Sequence, residues 1–170
     1  FKKFSFECNS LERALLLLNS SESDIKAKSL AFILEEVLNE KDFVVANLEL
    51  LPVKVLINML EDQSDVTKGM SLKILDKLVG IVNATNFCCE FEVLMLKCVA
   101  FINNSETFQL HCLHILKILL QQIPFLQQFC QIDGFSCVLR SVENSDTEVK
   151  LLALEILLVV MKDTKLKNHF

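Results

Sequence analysis

The sequence predicts an all-helical protein in which similar helical units stack side by side as a right-handed α-solenoid. Two observations predict this fold. The 170 residues include only three glycines and two prolines, too few for the tight turns of an all-β protein. Similar segments also return about every 41 residues, and a helical unit of that length cannot bury its apolar face without a neighbour. Because 52% of the residues are hydrophobic, the stacked units can bury a substantial core.

Four polar segments mark the predicted starts of the long helices. They begin at Ser23, Ser64, Ser105 and Asp146, and each begins 41 residues after the one before. A Ser or Asp oxygen can accept a hydrogen bond from the free N–H groups of a first helical turn, and an acidic neighbour favours the positive end of the helix dipole. We therefore predict that each of these four residues caps a long helix.

Apolar residues inside the long helices recur at helical spacing, which predicts one buried face for each helix. The two clearest series are Phe108, Cys112, Ile115 and Leu119, and Val149, Ala153, Ile156 and Val160. Other positions repeat between helices at the 41-residue interval: Leu72, Leu113 and Leu154; Ile74, Ile115 and Ile156; and Leu75, Leu116 and Leu157. In the first segment, Leu30 and Ile33 fit the same pattern at a step of 42 residues.

Shorter apolar elements lie between the long helices, at residues 11–18, 43–48, 52–60, 92–102, 124–130 and 134–142. Pro52 and Pro124 stand where a helix can begin, because the missing N–H of proline is harmless in a first turn. Each unit is therefore predicted to hold one or two short helices followed by a long one. The predicted repeats span residues 6–41, 42–83, 86–122 and 124–162, and residues 163–170 begin a further helix. Since the sequence opens on Phe1 and not on Met, we expect it to be a piece of a longer protein.

The last predicted repeat resembles an armadillo repeat. Residues 132–139 (IDGFSCVL) resemble the glycine-hydrophobic entry into the second helix of that family. Residues 146–150 (DTEVK), followed by Ala153 and Leu154, resemble the acidic-Val-polar opening of its third helix. The periodicity of the family extends over about 160 residues of this chain. Individual residues match the family pattern only in the last repeat. HEAT repeats have a similar length and are the alternative.

The resemblance implies that the third helices line a concave surface and bind a protein partner there. Peptide-binding armadillo proteins carry Trp and Asn on this helix, but this chain has no Trp, so we do not expect it to carry nuclear-import peptides. At the corresponding positions stand Lys73 and Lys77, His114 and Ile118, and Glu155 and Val159.

The outward positions of the third helices are the predicted groove residues. They are Lys28, Met70, Lys73, Lys77, His111, His114, Lys117, Ile118, Leu152, Glu155 and Val159. The middle of this set is basic, so we expect an acidic, amphipathic helix or strand of a partner protein. The alternative for the lysines is that they are simply solvated and bind no partner. Leu152 and Val159 are either partner contacts or core residues, and the core is favoured.

The sequence predicts no catalytic site, no metal site and no cofactor. His111 and His114 lie three residues apart on one helix, but no further ligand completes a zinc site, and Cys112 falls on the core side. The chain has no phosphate-binding loop and no pairing of a nucleophile with a base. Its seven cysteines are mostly scattered among apolar residues, which is typical of reduced thiols in a cytoplasmic or nuclear protein.

Two other binding modes are consistent with the sequence. The chain has apolar residues near both limits, at Phe4, Phe6, Leu166 and Phe170, and these predict self-association through the solenoid ends. The basic central positions could instead follow a nucleic-acid backbone, but the net charge of −5 and the absence of Trp and Tyr argue against it. No apolar run reaches the ~18 residues of a membrane span, so we expect no membrane partner.

Overall fold

A computed structural model of the chain describes residues 2–39, 41–46, 48–105, 107–144 and 146–162. Most of these residues are helical, and no strand occurs among them. They form two compact units, Phe1–Phe87 and Cys88–Phe170. A division into two units does not test the four predicted repeats. The number of repeats and their boundaries therefore stay predictions.

In the ranges that the structure describes, unit 1 contains five α-helices joined by short helical turns. They are α1 Lys2–Leu17, α2 Ser23–Phe32, α3 Lys41–Ala46, α4 Val53–Asn58 and α5 Asp65–Ile81. A π-helical turn, Ile33–Val37, extends α2, and 3₁₀ turns lie at Leu48–Leu50, Met59–Glu61 and Ala84–Phe87. Helix α5 packs against α2 and α4. The core between them includes Leu30, Leu56, Leu72 and Leu75, all of which are fully buried.

The described part of unit 2 also contains five α-helices. They are α6 Cys88–Asn104, α7 Gln109–Leu119, α8 Ile123–Gln131, α9 Gly134–Ser141 and α10 Thr147–Lys162. Helix α7 packs against α6 and α10, and α9 packs against α6, α8 and α10. Every residue of the two core series predicted from residues 108–119 and 149–160 is buried, so that prediction is confirmed. The predicted order of short and long helices is wrong here, because α6 has 17 residues and the following α7 has 11.

The π-helical turn explains why the first segment changes register. Ile33 is buried 42 residues before the buried Leu75, whereas Leu38 is buried 41 residues before the buried Val79. The turn adds one residue to the helix, and the Leu38 N–H donates to the Ile33 carbonyl oxygen at 3.1 Å, five residues back. The side chains of Ile33 and Leu38 are therefore both buried despite the extra residue between them.

Two of the four predicted helix caps are confirmed. The Ser64 hydroxyl accepts from the Thr67 N–H at 3.3 Å, and the Asp146 carboxylate accepts from the N–H groups of Glu148 and Val149 at 2.8 and 3.4 Å. The other two predictions are wrong. Ser23 is the first residue of α2, which follows Glu22. Ser105 donates its N–H to the Phe101 carbonyl at 2.8 Å and so ends α6, while α7 begins only at Gln109.

The difference between true and apparent caps gives a stability prediction. We expect Asp146→Ala to lower the free energy of unfolding by about 1 kcal/mol, because two N–H groups at the start of α10 lose their acceptor. Ser23→Ala is the matched control and should change it by less than about 0.5 kcal/mol, since this exposed side chain caps nothing. Urea unfolding of both variants checks the prediction, and equal losses would contradict it.

The junction between α8 and α9 has a tightly packed glycine. Asp133 has a left-handed backbone (φ 55°), and its carboxylate accepts from the Ser136 hydroxyl at 2.7 Å. Gly134 follows, is buried, and lies directly against the ring of Phe129, so that a Cβ at this position would overlap the ring. The Gly-hydrophobic motif noted in the sequence therefore has a steric cause: only glycine lets α9 approach α8 this closely.

Candidate partner-binding surfaces

Helix α5 carries an exposed basic surface, formed by Met70, Lys73 and Lys77. The two lysines are exposed and one helical turn apart, and Met70 is half-buried beside them. Neither lysine makes an ion pair or hydrogen bond with another residue in the described part of the chain. This α5 surface therefore carries two uncompensated positive charges next to a thioether side chain.

Lys28 lines a groove between α1 and α2. This α1–α2 groove has a volume of about 470 Å³ and is lined by Ser10, Arg13, Ala14, Leu17, Ile25, Lys28, Ser29 and Phe32. Its charged lining residues are both cations, and most of the remaining surface is apolar. Such a groove matches a segment that carries apolar and acidic side chains on one face.

The neighbouring Lys26 is not available to a partner in the same way. Its Nζ donates to the Asp62 carboxylate at 2.7 Å, and the N–H of Ser64 donates to the other carboxylate oxygen at 2.9 Å. The hydrogen bond from Lys26, followed by that from Ser64, holds the pKa of Asp62 below its usual value. Asp62 is therefore ionised at neutral pH, and its contact with Lys26 links α2 to the start of α5.

The predicted groove residues of unit 2 have a different electrostatic character. The Lys117 Nζ lies 2.7 Å from the Glu155 carboxylate, and His114 Nε2 lies 4.0 Å from the Glu148 carboxylate. Both contacts join α7 to α10, and the close pair with Glu155 neutralises Lys117, a cation that the sequence suggested for a partner. His111 and Ile118 are half-buried on α7.

The two apolar groove residues of α10 have separate environments. Leu152 is 5% exposed and packs in the core of unit 2, which is the alternative that the sequence favoured. Val159 is half-buried, as is Glu155. Leu152 is thus not accessible to a partner, whereas Val159 still presents part of its surface.

A row of exposed apolar side chains follows α10. Leu151, Leu154, Leu158 and Met161 are between 46% and 59% exposed, and their spacing of three and four residues puts them on one helix face. Leu113, which precedes Leu154 by 41 residues, is fully buried in the same unit, where α10 packs on α7. We call these four residues the α10 stripe. Of the apolar ends predicted earlier, Leu166 and Phe170 lie outside the described residues, and Phe4 and Phe6 lie in α1.

Unit 2 also has a polar cavity that sequence reasoning missed. It has a volume of about 280 Å³ and is lined by Ile102, Asn103, Gln109, Arg140, Ser141, Glu143 and Asn144. Polar residues at helix ends are common, so no sequence pattern connected these positions. The only available signal was that Asn103 and Arg140 lie in the last turns of α6 and α9, the helices that precede α7 and α10.

The described residues hold no cluster of metal-ligating side chains. No group of three or more His, Cys, Asp or Glu side chains there is arranged to hold a metal ion. Burial raises the pKa of the Cys137 thiol to about 11, so this thiol is protonated at neutral pH and is a poor nucleophile. None of the helices in the described ranges is long and apolar enough to cross a bilayer.

Comparison with known proteins identifies the fold. No protein-family model matches the sequence, and no curated protein sequence matches it. A designed armadillo repeat protein is similar in structure, with a TM-score of 0.74 at 13% sequence identity, over 88% of this chain and 64% of that one. An engineered protein solved by the Northeast Structural Genomics Consortium matches with a TM-score of 0.71 at 16% identity, over 88% of this chain and 62% of that one.

The extent of these matches limits what they show. This chain spans less than two thirds of the length of either structure, and identities of 13% and 16% identify the fold alone. The helical order, the burial pattern and the structural similarity agree with one another. The chain therefore has an armadillo-like helical repeat fold.

Proposed function

We propose that this chain is a non-catalytic scaffold that binds an acidic, amphipathic segment of a partner protein. The observation that carries the proposal is the α5 surface, where Lys73 and Lys77 are exposed, one turn apart and without a carboxylate partner in the described part of the chain. The α1–α2 groove supports the same partner chemistry, because Arg13 and Lys28 flank apolar lining residues there. The proposal assigns no role to Leu152.

The two kinds of contact would contribute differently to binding. Apolar side chains that become buried beside Met70 would supply most of the free energy, at about 25 cal/mol for each Å² removed from water. The lysines would mainly set the orientation of the partner and raise its association rate. In unit 2, Lys117 pairs with Glu155, which reduces the positive charge available to a nucleic-acid backbone. We therefore do not favour nucleic acid as the partner.

The same proposal includes the cellular setting. Six of the seven cysteines, all but Cys8, are described in the structure, and no disulfide bond joins them to one another; three of the six are buried. Free thiols persist in reducing compartments, so we propose that the protein acts in the cytoplasm, in the nucleus or in both.

The experiment that tests the proposed function is a titration of a synthetic acidic amphipathic helix, with Glu and Leu on one face. The chain should bind this peptide, and the affinity should fall as salt is raised because charges are screened. Absence of binding at low salt, or an affinity independent of salt, would contradict the proposal.

A second candidate function is self-association, which the α10 stripe favours. The stripe contains no charge, and a second copy in the antiparallel orientation offers the same four apolar residues, which gives a two-fold symmetric contact. Four partly exposed side chains form a contact smaller than the roughly 800 Å² per partner of a standard interface, so we expect a weak dimer.

The test of this second function is charge insertion into the stripe. We expect the double variant Leu154→Glu, Leu158→Glu to be monomeric at concentrations where the wild type forms dimers, because carboxylates at these positions repel across the two-fold axis. Sedimentation equilibrium at several concentrations measures this. The matched control is Val66→Glu, which replaces an exposed apolar residue on α5, and it should dimerise like the wild type. A wild type that is monomeric at high concentration would exclude self-association.

A further inference from the structure

The polar cavity of unit 2 is rich in hydrogen-bond donors. The three side-chain amide oxygens that line it each accept a hydrogen bond from the protein already. Asn103 Oδ1 accepts from Arg140 Nη2, Gln109 Oε1 accepts from Asn144 Nδ2 at 2.8 Å, and Asn144 Oδ1 accepts from the N–H of Asp146 at 2.8 Å. Each of these oxygens therefore already uses one of its two lone pairs, and several amide N–H groups remain for a ligand.

Several of these donor groups form no hydrogen bond within the described part of the chain. The amide nitrogen of Asn103 makes no hydrogen bond there, and Gln109 uses one of its two N–H groups, on the Ile102 carbonyl at 3.2 Å. Arg140 is exposed and uses part of its five-donor guanidinium on Asn103. Ser141 is 2% exposed, and its hydroxyl has no hydrogen-bond partner among the described residues.

A buried hydroxyl without a partner is costly, and native proteins usually provide one from water or a ligand. Glu143 is the only anionic side chain in the lining, and it is exposed. Arg140 is the only cation in the lining, so one positive charge faces the ligand and would leave a phosphate dianion half neutralised. A singly charged acceptor with two oxygens fits the planar donor fork of Arg140.

We propose that this cavity binds a carboxylate group of a protein or peptide ligand. The carboxylate accepts from the Arg140 guanidinium, and the side-chain amides of Asn103 and Gln109 complete the hydrogen bonding. The site belongs to unit 2 and does not depend on the α5 surface, so it can exist whether or not the proposed function is correct. It would recognise an Asp or Glu side chain or the end of a peptide chain.

The test uses small carboxylates and nuclear magnetic resonance of the isotope-labelled chain. N-acetylglutamic acid α-amide offers only a side-chain carboxylate, and N-acetylalanine offers only a chain-end carboxylate. N-acetylglutamine α-amide is the neutral control. We expect at least one of the two carboxylates to shift the side-chain amide signals of Asn103, Gln109 and Asn144, with a dissociation constant on the order of millimolar for so small a ligand. The carboxylate that shifts them more strongly identifies the source.

Two variants make this result decisive. Arg140→Gln keeps a polar side chain but removes the charge, and it should weaken binding at least tenfold, while Lys162→Gln removes an exposed cation from α10 and should leave binding unchanged. Amide spectra of the unliganded variants verify that both are folded. Three results would overturn the proposal: no shifts with either carboxylate, equal shifts with the neutral control, or equal binding by Arg140→Gln and the wild type.

Discussion

Gly134→Ala is expected to lower the free energy of unfolding by about 1–3 kcal/mol, the range seen when a methyl group is forced into a well-packed core. The cause is steric, because the new Cβ would overlap the ring of Phe129, and that ring is fully buried. The ring or the backbone of α9 must move to relieve the overlap. Urea unfolding followed by circular dichroism measures the loss.

The matched control for this prediction is Gly80→Ala. Gly80 lies inside α5 and is exposed. Alanine there should raise the free energy of unfolding by roughly 0.5–1 kcal/mol, because glycine loses more conformational freedom than alanine in a helix. The two Gly→Ala variants should thus have opposite signs. A Gly134→Ala variant as stable as the wild type would show that α8 and α9 do not pack as described.

Reversal of both charges on the α5 surface is expected to have the largest effect on binding. The double variant Lys73→Glu, Lys77→Glu replaces two attractive contacts with two repulsive ones, and it should bind the synthetic acidic helix at least tenfold more weakly, about 1.4 kcal/mol or more. The salt dependence should also become flatter. Calorimetric titration at low and at physiological salt measures both quantities.

The control for this variant keeps the same change in net charge but moves it elsewhere. Lys54 on α4 and Lys162 on α10 are exposed and lie outside the predicted groove residues. The variant Lys54→Glu, Lys162→Glu should bind the acidic helix within about twofold of the wild type, since only long-range charge changes. Equal weakening in both double variants would mean that net charge, rather than the α5 surface, governs binding.

The fold was predictable because burial repeats along the chain. Ile74, Ile115 and Ile156 are 41 residues apart in sequence, and each is fully buried. Such regularity survives in a single sequence because every repeat helix must turn an apolar face toward its neighbours. The start of α7 was not predictable in the same way. Ser105 has the side chain of a cap, but its N–H completes α6, and only the tertiary structure decides between these roles.

The candidate site was less predictable than the fold. Sequence reasoning placed basic residues along the whole groove, but Lys117 pairs with Glu155, a residue 38 positions later on another helix. Whether a surface lysine is free or paired depends on such distant contacts, and helix periodicity carries no information about them. Lys73 and Lys77 stay candidates because the structure brings no described carboxylate to them. Their role in binding remains a prediction.

The most direct test of the scaffold proposal is affinity capture from cell lysate, with bound proteins identified by mass spectrometry. The wild type should be run beside Lys73→Glu, Lys77→Glu and the control Lys54→Glu, Lys162→Glu. The account predicts a set of proteins with acidic amphipathic segments that the control retains and the α5 variant loses. Proteins captured equally by all three chains, or lost equally from both variants, would contradict the claim that the α5 surface binds the partner.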